Sequence, residues 1–195
     1  CGDKKALGKI DFSASMGDSN GDGIYENLYS FGARSFSIWD VDNLTTPVFD
    51  SGSFMGKYTA QKYPNNFNAS NDKNDFDDRS DNKGVEPEGV AVGQVGSQTI
   101  AFVGLERISS IMAFDVTNPK QAKFLGEINT RTFDDKKLKA AKEGSAPANA
   151  DGDLGPEGLT FISAENSPSG KPLLLVGFEV SGSSRVFELD FSTAV

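Results

Sequence analysis

Histidine is absent from this 195-residue chain, and cysteine occurs once, at position 1. Without histidine, the chain can form neither a histidine-based catalytic triad nor an imidazole-ligated metal site. A single cysteine excludes an internal disulfide bond and a cysteine-rich zinc site. Polar chemistry must therefore come mainly from carboxylates and asparagine amides, and hard oxygen ligands of this kind favour calcium or magnesium.

Positive charge is also scarce, because 19 lysines and arginines stand against 28 aspartates and glutamates, a net charge of −9. Nucleic-acid binding needs a basic surface, so we expect no nucleic-acid partner. The apolar runs are too short to cross a bilayer, which predicts no membrane span. Cys1 followed by glycine has the form of a bacterial lipoprotein start, but a fragment boundary is the favoured interpretation.

The chain contains an internal repeat. Residues 87–116 and 156–189 both begin with Pro-Glu-Gly and carry a Gly-X-Glu triplet after a turn. A partial third copy lies at residues 31–41. Repeated units of short antiparallel strands are typical of β-propeller blades. A β-sandwich is the alternative, but it does not explain the repeat.

The repeat predicts an all-β fold of about three antiparallel β-propeller blades, with long inserted loops and one short helix at residues 134–143. The expected blades cover roughly residues 7–54, 87–128 and 156–191, and the inserted loops cover residues 55–86 and 129–155. Strands of the first blade are expected at residues 7–13, 27–41 and 46–54. Closed propellers usually need about 4–8 blades. Residues 1–195 are therefore expected to be the C-terminal part of a longer propeller domain, or to self-associate.

A calcium-type loop follows the first expected strand. Oxygen side chains stand at loop positions 1, 3, 5 and 9, glycine stands at position 6, and the position 7 carbonyl adds a ligand. The predicted ligands are Asp18, Asn20, Asp22, Ile24 and Glu26. Position 12 is Tyr29 and a strand is expected next, so the loop is not an EF-hand. We expect Ca2+ in a structural role, with a metal-free turn as the alternative.

Each of the two full repeats carries two glutamates at the ends of its expected hairpin: Glu88, Glu106, Glu157 and Glu179. The hairpins would place all four carboxylates on one rim of the propeller. Like charges on neighbouring strands need a cation, an arginine or a raised pKa. Arg34 and Arg107 are the nearby arginines, and Glu86 adds a fifth carboxylate. The pattern fits either a structural Arg–Glu network or a ligand or metal site.

Residues 65–82 form a loop in which eleven of eighteen residues are asparagine or aspartate. Loops of this length inside a domain are usually functional or disordered. This loop leads directly into Glu86, so we expect it to fold over the same rim. Its aspartates are candidates for a cation, while Arg79 and Lys83 are candidates for an anion; a solvated, flexible loop is the alternative.

Several ordered motifs together resemble the choice-of-anchor I family: DSNGDGIYENLYSFGARSFSIWD, NASNDKNDFDDRSDNKGVEPEGVAVG, FVGLERISSIMAFDV and GDLGPEGLTFI. The resemblance covers nearly the whole chain. It implies a bacterial β-propeller protein that is secreted, periplasmic or on the cell surface, contains calcium and is often labelled alkaline-phosphatase-like. It also implies that the chain is the C-terminal portion of a longer protein. It carries over no defined catalytic residues.

Three functions are compatible with the sequence. The first is a non-catalytic, calcium-stabilised binding module whose partner is a protein or a carbohydrate. The second is a calcium-dependent phosphoesterase that hydrolyses phosphate monoesters, in which carboxylates hold metal ions and arginines hold the phosphate. Its candidate residues are Glu88, Glu106, Glu157, Glu179, Arg34, Arg79 and Arg107. The third is a two-carboxylate glycosidase, for which no acid/base pair stands out.

Overall fold

The computed structural model describes residues 9–32 and 34–191, so Cys1 lies outside the described residues. The strands are β1 (Ser37–Ile38), β2 (Phe49–Asp50), β3 (Pro87–Val95), β4 (Gln98–Leu105), β5 (Ser110–Asp115), β6 (Lys123–Asn129), β7 (Pro156–Ile162), β8 (Leu173–Phe178) and β9 (Ser183–Glu188). The helices are α1 (Phe54–Lys62) and α2 (Asp135–Lys142), and Ala164–Asn166 forms a 3-10 turn. In the part of the chain described, no helix is long and apolar enough to cross a membrane.

The strands form three antiparallel sheets, in the orders β1-β2, β3-β4-β5-β6 and β7-β8-β9. This confirms an all-β, propeller-like fold. The two larger sheets begin in the same way. Pro87 pairs with Leu105 before the register shifts, and Pro156 pairs with Phe178 before an equivalent shift. The repeated Pro-Glu-Gly triplet is thus an irregular start to each sheet, of the kind a β-bulge produces.

The two larger sheets pack face to face through an apolar core. Phe102 and Ile100 of β4 meet Leu174 and Val176 of β8, and all four side chains are buried. Gly93 lies directly under Phe161, because a Cβ atom there would come 2.2 Å from the ring. A glycine at this point lets β3 and β7 approach closely, which brings the starts of both sheets to one end of the molecule.

The opposite face of the four-stranded sheet is covered by α1, which the sequence pattern does not predict. Met55 is fully buried in a core with Val103 and Met112, and the Phe54 and Phe124 ring centroids are 5.1 Å apart. The expected helix is confirmed as α2, where the Asp134 side chain accepts hydrogen bonds from two backbone amides of the first turn. The structure therefore contains one helix more than predicted.

The first expected blade is the part of the fold that differs most from the prediction. Within the described residues, β1 and β2 have two residues each, and an isolated bridge joins Phe12 to Ser30. Leu28 and Phe31, which give residues 27–41 their strand-like pattern, are 64% and 49% exposed. Apolar residues with no covering layer stabilise no extended strand pair. The predicted strands at 7–13, 27–41 and 46–54 are therefore mostly wrong, although residues 7, 8 and 33 lie outside the described residues.

Candidate functional site

Three carboxylates converge in the loop that carries the calcium-type spacing. Asp18, Asp22 and Glu26 each offer one oxygen atom, and these atoms all lie within 4.8 Å of one another. No other three acidic side chains in residues 9–32 and 34–191 meet as closely. Ile24 lies in the same loop, with its side chain 69% exposed. The structure thus brings together three of the five predicted ligand residues, Asp18, Asp22 and Glu26.

Backbone amides hold the first ligand of this loop in place. Asp18 Oδ1 accepts a hydrogen bond of 2.7 Å from the amide of Gly21, and Oδ2 accepts one of 2.9 Å from Gly23. Both glycines have positive φ angles, of 78° and 86°, which a residue with a side chain rarely adopts. The amide of Gly23 makes the largest contribution to lowering the pKa of Asp18. The carboxylate is therefore ionised and oriented inside the turn.

Glu26 closes the loop from the other side. Its carboxylate accepts hydrogen bonds from the Ser19 amide at 2.8 Å, the Ser19 hydroxyl at 3.0 Å and the Asn20 side-chain amide at 3.0 Å. These bonds, led by the Ser19 amide, lower the pKa of Glu26. Ionised carboxylates and an asparagine oxygen are the hard ligands that calcium takes. The three converging carboxylates are therefore of the residue type that calcium takes.

Three of the four predicted rim glutamates lie together. Glu157 and Glu179 line the same shallow depression, and the Glu179 side chain raises the pKa of Glu157, with a smaller contribution from the charge of Glu88. Strands β3 and β7 touch at this end, since a Cβ on Gly89 would lie 2.4 Å from the Glu157 carbonyl oxygen. Glu88 and Glu157 therefore lie on the same side, as the hairpin registers predict.

The fourth glutamate, Glu106, belongs to a separate, buried cluster with Glu86. Glu106 is 3% exposed and Glu86 is 8% exposed. Arg107 reaches both, with Nε 2.5 Å from Glu86 Oε2 and Nη2 3.1 Å from Glu106 Oε2. Lys83 pairs with Glu86, and Asn71 donates to Glu106 at 2.6 Å. The sequence left two interpretations of the glutamates open, a structural Arg–Glu network and a ligand or metal site. This Glu86–Glu106 pair matches the structural network.

The other candidate arginines are bonded within the loop of residues 65–82. Arg34 Nη2 donates to the Ser80 carbonyl at 2.8 Å, and its guanidinium packs against Gly84. Arg79 Nε donates to the Ser70 hydroxyl at 3.2 Å. The structure therefore places Arg34, Arg79 and Arg107 on loop groups and on the buried pair rather than around the exposed Glu88, Glu157 and Glu179.

Residues 65–82, which we call the Asx-rich loop, pack against the sheet. Asn68, Ser70 and Asn71 are 3%, 1% and 5% exposed. Inside the loop, the Arg79 amide donates to the Asn68 carbonyl at 2.9 Å. The Asn71–Glu106 contact fixes the loop over the end of the four-stranded sheet. The loop thus covers the end of the molecule over which it was expected to fold. It packs against the sheet, in contrast to the alternative of a solvated, flexible loop.

Arg131 is the central residue that sequence reasoning missed. Its side chain is fully buried and follows β6. Its Nη2 donates to the Ser70 carbonyl at 2.8 Å and to the Asn74 side-chain oxygen at 2.8 Å. Its Nε lies 3.4 Å from Asp151 Oδ2, and Nη1 donates to the Arg107 carbonyl at 3.1 Å. Its loop partners are 57–61 residues away in sequence, so no local motif reveals it.

Comparison with known proteins assigns the family. The family model described as "Choice-of-anchor I domain" matches residues 1–119, which is more than half of the chain. The protein belongs to the choice-of-anchor I family, and domains of this family are associated with the cell surface. The resemblance seen in the sequence motifs is confirmed.

Two curated proteins are similar in sequence. The chain is 31% identical to "Gigasin-3a" of Magallana gigas over 192 residues, which is 94% of this chain and 64% of that protein. It is 31% identical over 105 residues to the "Mesenchyme-specific cell surface glycoprotein" of Strongylocentrotus purpuratus, covering 48% of this chain and 14% of that protein. The chain thus spans less than two thirds of the length of either relative. Both relatives come from animals, and the bacterial setting expected above stays a prediction.

Among solved structures, the C-terminal domain of Pseudomonas aeruginosa PilY1 is similar at 21% sequence identity and a TM-score of 0.28. The likeness covers 86% of this chain and 29% of that one.

Proposed function

We propose that the protein is an extracellular, calcium-stabilised propeller module that binds a partner and does not catalyse a reaction. The observation that carries this proposal is the convergence of Asp18, Asp22 and Glu26 in a loop with calcium spacing. Calcium concentrations high enough to fill modest sites are an extracellular condition, and extracellular modules use sites of this kind. The cell-surface association of the family and the printed name of the sea-urchin relative support the same setting.

An exposed apolar groove supports the binding role. Trp39, Val90 and Val92 line it together with Ile38, and the first three are 47%, 56% and 57% exposed. Contiguous apolar surface of this kind usually marks an interface. The groove lies on the α1 side of the four-stranded sheet, at the part of β3 that α1 leaves exposed, beside the short β1–β2 pair. We propose that a further sheet of a longer propeller chain packs there, and self-association of this chain would fill it in the same way.

Calcium is expected to stabilise the fold through the Asp18–Glu26 loop. At a calcium concentration one hundred times the dissociation constant, binding adds about 2.7 kcal/mol, which raises the melting temperature by roughly 5–10 °C in a domain of this size. Asp22→Asn should lose most of this increase, because one of the three converging carboxylates becomes neutral. Thermal melts with calcium and with a chelator measure the effect.

Asp42→Asn is the matched control, since Asp42 is an exposed aspartate in a turn outside the loop. It should retain the full calcium effect. An equal melting temperature with calcium and with chelator in the unaltered protein would refute the calcium assignment. Equal sensitivity of the Asp22 and Asp42 variants would show that any calcium effect arises elsewhere.

The phosphoesterase alternative has less support from the geometry. Arg34, Arg79 and Arg107, the predicted phosphate ligands, are bonded to the Asx-rich loop and to buried carboxylates. We expect no calcium-dependent release of phosphate from p-nitrophenyl phosphate above the rate without protein. Calcium-dependent turnover that Glu157→Gln abolishes would overturn the non-catalytic proposal and favour the phosphoesterase.

A further inference from the structure

The two larger sheets are built alike, strand for strand. Each of the six residue pairs that join β4 to β5 has a counterpart 73 residues later that joins β8 to β9, as Ala101–Phe114 corresponds to Leu174–Phe187. One strand has no counterpart. β5 pairs with β6 on its outer edge, whereas within residues 9–32 and 34–191 no strand pairs with the outer edge of β9. β9 therefore holds the position of β5 without a neighbour that corresponds to β6.

The outer edge of β9 presents backbone groups to a further strand. The Leu189 amide donates to the Pro172 carbonyl at 2.9 Å, so the backbone of Leu189 faces β8. Successive residues of an antiparallel strand direct their N–H and C=O groups to opposite edges, and those of Ser184, Val186 and Glu188 therefore face outward. A row of outward N–H and C=O groups is a template for pairing with another strand.

An open apolar cavity of about 420 Å³ lies beside this edge, between the two larger sheets. Its lining includes apolar side chains of both sheets and of the segment after β9: Phe102, Leu125, Ile128, Leu174, Phe187 and Phe191. Phe102 and Leu174 belong to the core that joins the sheets, so the cavity continues an interface already present. A cavity of about 150 Å³ is enough to bind benzene. An aromatic side chain therefore fits here.

The aromatic pair of β5 and β6 indicates which side chain would enter the cavity. Phe124 of β6 lies opposite Phe114 of β5, with ring centroids 5.6 Å apart. Phe187 holds the position of Phe114 in β9, and it packs against the inter-sheet core and lines the cavity. Directly opposed residues share one face of a sheet. An aromatic residue opposite Phe187 would therefore point into the cavity.

The charges of β9 also match a strand like β6. In the register of β5 with β6, such a strand would place its lysine opposite Glu188 and its glutamate opposite Arg185. Both β9 side chains are 47% exposed. Glu188 already pairs with Lys171 and Arg185 with Asp153, and both groups keep hydrogen-bonding capacity for a second partner. Both new contacts would join opposite charges across the strands, which is favourable.

The sequence contains this strand pattern twice. Residues 123–129 read Lys-Phe-Leu-Gly-Glu-Ile-Asn, and residues 5–11 read Lys-Ala-Leu-Gly-Lys-Ile-Asp. The second copy lacks two features that β9 would select, because Ala6 replaces the aromatic residue and Lys9 replaces the glutamate. A lysine opposite Arg185 is a like-charge contact, which is unfavourable. The strand that fits β9 therefore resembles β6 and not residues 5–11.

We propose that the outer edge of β9 and the adjoining cavity, together called the β9 groove, bind one extended segment of a longer propeller chain. The segment pairs antiparallel to β9, with a basic residue opposite Glu188, an aromatic residue in the cavity and an acidic residue opposite Arg185. It completes a four-stranded sheet, the usual propeller blade. We take the longer chain as the source because the match with Gigasin-3a covers 64% of that protein, which leaves further chain outside it.

This inference rests on the proposed function only for the source of the segment. The calcium melts of the Asp22 variant do not involve β9, so the two proposals fail separately.

Fluorescence anisotropy with the complete chain tests the β9 groove. The probe is a fluorescein-labelled peptide of residues 122–130, which carries the β6 sequence. We expect saturable binding that weakens at least about tenfold when the phenylalanine of the peptide is replaced by alanine, because burial of that side chain contributes this much or more. A labelled peptide of residues 4–12, of equal length, should also bind at least about tenfold more weakly.

A charge exchange locates the probe on β9 and not on β5. Glu188→Lys should weaken probe binding at least about threefold, and a probe with glutamate in place of its lysine should bind this variant more tightly than the original probe does. Glu143→Lys is the matched control, since Glu143 is exposed at the end of α2, outside the β9 groove. It should bind the original probe as the unaltered protein does.

Absence of saturable binding would overturn the proposal, and so would equal binding of the probe and the peptide of residues 4–12. Probe binding that Glu188→Lys leaves unchanged would place the peptide elsewhere and overturn it too. Analytical ultracentrifugation covers the remaining occupant. A dimer of the unaltered chain that Glu188→Lys dissociates would contradict the proposal, because a second copy would then fill the β9 groove.

Discussion

Replacing Arg131 by alanine is expected to lower the free energy of unfolding by about 3–5 kcal/mol, the usual cost of breaking a buried ion pair. The guanidinium is fully buried, and burial lowers the pKa of Arg131 while Asp151 opposes that shift. Arginine nevertheless stays charged. Its removal leaves the Asp151 carboxylate buried without its cation, and it leaves the carbonyl groups of Ser70 and Lys73 without a donor. Guanidinium denaturation of both proteins measures the difference.

Arg185→Ala is a matched control for this experiment. Arg185 also pairs with a buried aspartate, Asp153, at 2.6 Å, but its own side chain is 47% exposed. Asp153 keeps hydrogen bonds from Ser183 and Thr130, so we expect a loss of about 1 kcal/mol. Equal losses for the two variants would contradict a special role of Arg131 in fixing the Asx-rich loop.

Phe102→Ala is expected to lower the free energy of unfolding by about 3–5 kcal/mol, the usual range for a fully buried aromatic residue. Phe102 is 2% exposed and stacks on Phe161 of the neighbouring sheet, with ring centroids 6.2 Å apart. The substitution opens a cavity between the two sheets, because Phe102 belongs to the core that joins them. Denaturation monitored by far-ultraviolet circular dichroism measures the loss.

Val92→Ala serves as the comparison, at an exposed position on the opposite face of the same sheet. Val92 is 57% exposed, so its truncation removes little buried surface and should cost less than about 0.5 kcal/mol. A Phe102→Ala loss below about 1 kcal/mol would mean that the two sheets do not stack through this residue.

The two larger sheets could be predicted from sequence because their signals are local and repeated. Pro-Glu-Gly marks the start of β3 and of β7, and the turn at Gly96–Ser97 is where the register places it. Helix α1 could not be predicted in this way. Gly56 interrupts its pattern, and its N-cap residue Ser53 makes no side-chain hydrogen bond. Its stability comes from aromatic packing against the sheet, such as Phe54 on Phe124, which only the folded chain shows.

In the candidate site, too, the local features could be predicted from sequence and the long-range contacts could not. The spacing of Asp18, Asp22 and Glu26 lies within nine residues, so the sequence alone indicates their convergence. The four rim glutamates were expected together, yet Glu106 turns into the interior and pairs with Glu86. The position of the Glu106 side chain depends on its contacts with Asn71 and Arg107, which lie on different segments of the chain. Arg131 likewise acts across distant segments. Contacts of high sequence separation are set by packing, and residue patterns do not encode them locally.

The calcium loop is the central claim, and long-wavelength diffraction tests it most directly. Crystals of the protein grown with calcium chloride should give an anomalous difference peak at the Asp18–Glu26 loop. The expected ion lies about 2.3–2.6 Å from oxygen atoms of Asp18, Asp22 and Glu26. A map with those three carboxylates ordered and no anomalous peak between them, at a calcium concentration that stabilises the protein, would contradict the account.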